Sequence, residues 1–150
     1  MKNYILLLFI PIVCFGQTYE DIVSIDSKEQ FIRIGIENDY EITENNEDKT
    51  QLALDPTYKE NGEVLASAFA TYRKRVDSTF FAVFSFNKDN LWRKKDYNDI
   101  FSVVKQNHSF LAIIEGLSFY KVNDSLDIGF GIEDDWCRVA IVKKTDVSNE

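Results

Sequence analysis

The chain has 150 residues, with 25 acidic against 17 basic side chains and a formal net charge of −8. An acidic surface repels polyanions, which counts against nucleic acid and anionic membrane as main partners. This length is enough for one compact domain that buries roughly two thirds of its unfolded surface.

Met1-Lys2-Asn3 and the uncharged run from Tyr4 to Phe15 have the form of a basic n-region and an apolar h-region, which predicts a signal peptide. The run is shorter than the about 20 residues that cross a bilayer. Gly16 and Cys14 stand one and three places before a cut ahead of Gln17, where signal peptidase requires small residues. The expected organisation is therefore a leader over residues 1–16 and a single α+β domain over residues 17–150. A lipoprotein cut needs a small residue directly before the cysteine, and Val13 is branched and large. The leader resembles those of exported proteins of Gram-negative bacteria. Its loss places the protein in the periplasm, in the cell envelope or outside the cell, with no integral membrane span. Removing the leader takes one lysine and no acid, so the domain becomes more acidic still. It also leaves Cys137 without a partner for an internal disulfide, although the compartment permits one.

Ser27-Lys28-Glu29-Gln30 has the form of a capping box and predicts a helix from Ser27 to about Asn38, with Phe31, Ile34 and Gly35 on one face. The polar stretch from Glu41 to Thr50 reads as a solvated loop. Strand patterns follow at Gln51 to Leu54, Val64 to Tyr72 and Thr79 to Phe86, with Asn61-Gly62 as the first hairpin turn and Val76-Asp77-Ser78 as the second. In the third run Phe80, Ala82, Phe84 and Phe86 share an apolar side. Asn87 to Lys95 reads as a polar connection, and Asp96 opens a second helix whose Tyr97, Ile100, Phe101 and Val104 form one stripe ending at Asn107 or His108. The last strands are expected at Phe110 to Tyr120 with a bend at Gly116, around Leu126 to Glu133, and at Cys137 to Lys143. Helix then three strands thus occurs twice, with Phe31 and Phe101 at similar places. A pseudo-repeat accounts for this order, and so does one antiparallel sheet of about five to six strands with two helices packed on it.

Few residues carry recognisable chemistry. The single histidine, His108, excludes H-E-x-x-H zinc sites, and a Cys/His pair would have to join it to Cys137 across the fold. The expectation is an exposed cap histidine and a buried structural thiol. Glu115, Glu133, Asp134 and Asp135 are the carboxylates from which a hydrolase pair could be drawn, although Asp134-Asp135 has the character of a hairpin tip. Glu44 to Asp48 offers oxygen ligands without the alternation that a calcium loop needs. Gly129-Phe130-Gly131 lies mid-strand and is no phosphate cradle. No cofactor or metal is implied, and the N-x-S matches at Asn107 and Asn123 lie in expected turns.

Two basic clusters interrupt the acidic background, one with Arg73 and Arg75 at a hairpin end and one at Trp92-Arg93-Lys94-Lys95. Interleaved aromatic and basic residues can grip a partner, because Trp and Arg are enriched where interfaces hold their energy. The expected function is non-catalytic binding of a protein or peptide through the Trp92 region or an open sheet edge. A small carboxylate-dependent hydrolase and an envelope structural protein without ligand are the alternatives.

Overall fold

A computed structural model describes residues 16–75 and 79–144; residues 1–15, most of the expected leader 1–16, and the expected turn Val76-Asp77-Ser78 lie outside the described residues. Two helices, α1 (Tyr19–Ser24) and α2 (Lys28–Glu37), precede β1 (Tyr40–Asn45) and β2 (Lys49–Leu54). A small excursion, β3 (Thr57–Tyr58) with β4 (Val64–Leu65), leads to β5 (Ala68–Lys74) and β6 (Thr79–Asn87). Helix α3 (Leu91–Asn107) then introduces β7 (Ser109–Ile114), β8 (Leu117–Lys121), β9 (Leu126–Glu133) and β10 (Trp136–Lys144). The eight longer strands form one antiparallel sheet in the order β1-β2-β5-β6-β10-β9-β8-β7. The α+β class expected from the patterning holds, with eight sheet strands where five to six were expected and three helices where two were.

That strand order divides the sheet into two halves of four strands, the first preceded in the chain by α1 and α2 and the second by α3. The halves meet along β6 and β10, which are in register from Thr79↔Lys144 to Asn87↔Trp136. An equivalent aromatic contact occurs in both halves. Phe31 of α2 lies 5.6 Å, centroid to centroid, from Tyr72 on β5, and Phe101 of α3 lies 5.0 Å from Phe130 on β9. In each half the helix phenylalanine therefore meets an aromatic residue on the third sheet strand.

Alternation sets which face is buried, because successive side chains of a strand point to opposite sides. Leu52, Ala70, Phe84, Val139 and Ile128 are all buried on the helix-bearing face. Helix α2 covers the β1-β2-β5 part of that face, and α3 lies over β6 and β10. Close approach of α2 depends on Gly35, where a Cβ would collide with Leu52 Cδ1. The opposite face carries no helix among the described residues, and its Phe69, Phe81, Val83 and Val142 remain half-buried.

Local chemistry explains each departure from the expected elements. Glu41 to Thr50 forms β1 and the start of β2, since buried Tyr40 anchors the strand and an edge position leaves its acids in solvent. Only the tip is a loop, held by Asn46 Oδ1, which accepts from the amides of Asp48 and Lys49. Asn61-Gly62 tips the β3–β4 excursion, so the run from Val64 to Tyr72 divides between β4 and β5. Helix α3 begins at Leu91 because the Asn90 side chain accepts from the Arg93 amide at 3.2 Å; Asp96 sits inside the helix. Its first turn is exposed, with Leu91 and Trp92 outside the buried stripe of Tyr97, Ile100 and Val104, which hides it from an apolar-periodicity reading. The single strand expected from Phe110 to Tyr120 is a hairpin, with Glu115 and Gly116 both at positive φ. Helix α1 was not anticipated, and a Thr18–Asp21 capping box starts it. Helix α2 begins as expected, the Ser27 hydroxyl accepting from Gln30 N, while the Gln30 side chain reaches Asp26 N.

Phe84 is fully buried, paired with Val139 across the seam and in ring contact with Phe31. Replacing it with alanine is expected to cost about 3–5 kcal/mol in urea denaturation. A loss under about 1 kcal/mol, the scale of an ordinary surface change, would contradict the central position given to the seam.

Candidate functional site

The two basic clusters do not converge. Arg73 and Arg75 lie at the C-terminal end of β5, exposed, bordering a groove of about 650 Å³ on the helix-free side of the sheet. Phe81, Phe119 and Val142 floor this groove and Glu115 lies on its rim. Trp92, Arg93, Lys94 and Lys95 belong to the first turns of α3, on the helix-bearing side, following the opposite end of the β5–β6 pair.

In that second cluster the side chains divide by role. Trp92 is 74% exposed and Leu91 80% exposed. Arg93 is half-buried and forms an ion pair with Asp96 at 3.2 Å, while Lys95 pairs with Asp99 at 2.5 Å. Lys94 is exposed and makes no ion pair among the described residues. Two adjacent apolar side chains therefore project from a turn whose neighbouring charges are mostly engaged in helix-internal pairs. Beside them runs a second groove of about 630 Å³, bounded by Gln17 and Thr18 on one side and by Trp92, Asp96, Asp99 and Val103 of α3 on the other. The segment before α1 forms the wall facing α3, a part that sequence patterning left out because nothing periodic marks it.

Burial governs the acid-base character around this groove. Desolvation raises the Asp96 carboxyl above its ordinary value, and the Arg93 guanidinium only partly offsets it. Deeper in, burial pushes the Tyr97 hydroxyl up to about 12 and raises that of Tyr40 further. Tyr40 donates its hydroxyl hydrogen to Gln17 Oε1 at 3.3 Å.

The remaining candidates are used structurally. His108 caps α3 and is half-buried, where an exposed cap was expected; its Nε2 lies 2.7 Å from the Tyr19 hydroxyl with the rings stacked, which ties α1 to α3. Cys137 is buried, and desolvation raises its thiol. Lys94 is near enough to Cys137 to influence it, and His108 lies fourteen residues further along the helix, about 20 Å away at the α-helical rise. The two do not form a nucleophile-base pair. Glu133 is ion-paired with Arg138, and Asp135 with Lys88 at 2.7 Å. Asp134 occupies the hairpin tip at positive φ, its carbonyl accepting from Lys88 Nζ. Among the described residues no group of three or more His, Cys, Asp or Glu side chains is placed to hold a metal ion. Comparison with protein-family models, curated proteins and solved structures finds no match, so this geometry is read on its own terms.

The raised Asp96 value has a definite consequence for stability against pH. A carboxyl whose folded pKa lies above its unfolded value favours the fold fully below the unfolded value of about 3.9 and loses that contribution as pH rises through the folded value. Thermal melts of the natural chain and of Asp96→Asn should show the natural chain losing ground relative to the variant as pH rises from about 3.9 towards neutral. A natural chain that gains on the variant across that window would show Asp96 to be depressed, not raised.

Proposed function

We propose that the protein is an exported, non-catalytic binding domain that takes a protein or peptide partner at the first turn of α3. One observation carries the reading. Leu91 and Trp92 are large, adjacent and exposed, while the buried stripe of the same helix is formed by Tyr97, Ile100 and Val104 further along. A large apolar side chain left in water yields little to folding, whereas a partner that covers it gains about 1.5–3 kcal/mol from its burial. Trp is also the residue most enriched among interface hot spots. Lys95 and Asp99 of the groove supply the polar rim that such a contact requires.

Export belongs to the same proposal and rests on the basic and apolar leader with its small residues at Cys14 and Gly16. No helix among the described residues is long and apolar enough to cross a membrane. The hydrolase alternative has less support, since Glu133 and Asp135 are engaged in ion pairs around a hairpin tip. An extended sheet edge is the second binding surface with an observation in its favour. Strand β7 carries no charge and exposes Phe110, Leu111, Ile113 and Ile114, whereas the opposite edge, β1, is guarded by Glu41 and Glu44.

The test is capture from the envelope fraction of the producing cell by the chain beginning at Gln17, with Trp92→Ala as control. Captured partners should bind the variant at least about tenfold more weakly, the scale of a hot-spot loss, while its melting temperature stays unchanged. Equal capture by both chains, or a large fall in the melting temperature of the variant, would show that Trp92 serves the fold and not a partner.

A further inference from the structure

Gln17 is unusual among the polar residues of this chain: it is 3% exposed, and its Nε2 is buried with no hydrogen-bond partner among the described residues. An orphaned buried amide nitrogen carries a desolvation penalty with nothing to offset it. The oxygen of the same amide is satisfied, accepting from the Tyr40 hydroxyl at 3.3 Å. The backbone just before it is also confined, since a Cβ at Gly16 would stand 2.5 Å from Asp96 Oδ1. The capping box at Thr18 and Asp21 fixes the chain immediately after it.

A cut between Gly16 and Gln17 would release the Gln17 α-nitrogen at this confined place, one peptide unit from the Asp96 carboxylate. Asp96 is already ion-paired with Arg93. An α-ammonium there would face that carboxylate, whose desolvation Arg93 only partly offsets, so the terminal charge is not what disfavours an open terminus. What disfavours it is the orphaned Nε2, and ring closure at Gln17 removes that nitrogen.

We propose that Gln17 becomes the first residue of the mature chain and closes on itself to a pyroglutamyl terminus seated between Tyr40 and Asp96. The step is an internal acyl transfer. The unprotonated α-nitrogen attacks Cδ, the Nα–Cδ bond forms, the Cδ–Nε2 bond breaks, and one proton moves from the α-nitrogen to the departing nitrogen, which leaves as ammonia. Nothing is oxidised or reduced. The group expelled is the orphaned Nε2, and the oxygen that accepts from Tyr40 is kept as the lactam carbonyl. Because Gln17 and Thr18 form one wall of the Trp92 groove, the same step would finish that wall without a terminal charge. The inference rests on the export reading for the cut itself and is independent of any partner at Trp92.

Intact mass and fragmentation of the protein recovered from the envelope or medium of the producing cell decide it. The expected result is a chain beginning at Gln17 and lighter by one ammonia. A chain beginning at Gln17 with its full mass would overturn the cyclisation and leave the export reading intact. A chain that keeps the leader, or begins elsewhere, would overturn both. A second measurement tests the physical reason. Protein made to begin at Gln17 should melt a few degrees lower before cyclisation than after it, and an equal or higher melting temperature before cyclisation would contradict the role given to the orphaned amide.

Discussion

The antiparallel seam between β6 and β10 is the contact on which the rest of the molecule depends. It is the only junction between the two halves of the sheet in the strand order, and both of its strands are nine residues long. Strand β6 places Phe80, Ala82, Phe84 and Phe86 on the helix-bearing face, and β10 places Cys137, Val139 and Ile141 beside them. These side chains form the middle of one continuous core that runs from Ile22 and Phe31 on one side to Tyr120 and Phe130 on the other. With Cys137 free and no disulfide among the described residues, that apolar layer and the ladder beneath it hold the halves together.

Helix α3 follows from this arrangement. It packs on β6 and β10 through Tyr97, Ile100 and Val104, so its anchoring begins nearly two turns after its first residue. The Asn90 cap sets the start of the helix independently of that packing. The result is an ordered but unburied opening turn, which presents Leu91 and Trp92 at a fixed position beside the segment that leads into α1. Order without burial is what a recognition surface needs, because a preformed contact loses less freedom on binding. The link between Tyr19 and His108 holds α1 against the far end of the same helix.

Much of this was legible in the sequence where burial and periodicity coincide. The Ser27 cap with Phe31, Ile34 and Gly35, the alternation of Thr79 to Phe86 and the buried thiol of Cys137 all describe residues whose neighbours are apolar and regular. Elements on the surface were harder to read. Strand β1 is acidic because an edge exposes it, and the start of α3 holds Leu91 and Trp92 in solvent, outside the helix's buried stripe, so neither shows the pattern that a core imposes. The hairpin at Glu115-Gly116 was compressed into one strand, since its flanks are apolar on both sides of the turn. At the candidate site, the exposure of Trp92 could be posed as a question but not answered from sequence, and Arg73 and Arg75 could not be separated from it without the sheet order. The burial of Gln17 carried no signal at all, because the residue it bonds, Tyr40, is distant along the chain.

A sheet held at its centre and a helix anchored away from its start make different demands on local stability. Native-state amide hydrogen exchange reads both in one experiment, because it reports the opening free energy of each segment. The amides of β6 and β10 should exchange slowest and at the rate of global unfolding, with the inner strands of the two halves close behind and the opening turn of α3 among the fastest helical amides. Early exchange of β6 and β10, or one half opening while the other stays protected, would contradict a fold that rests on its seam.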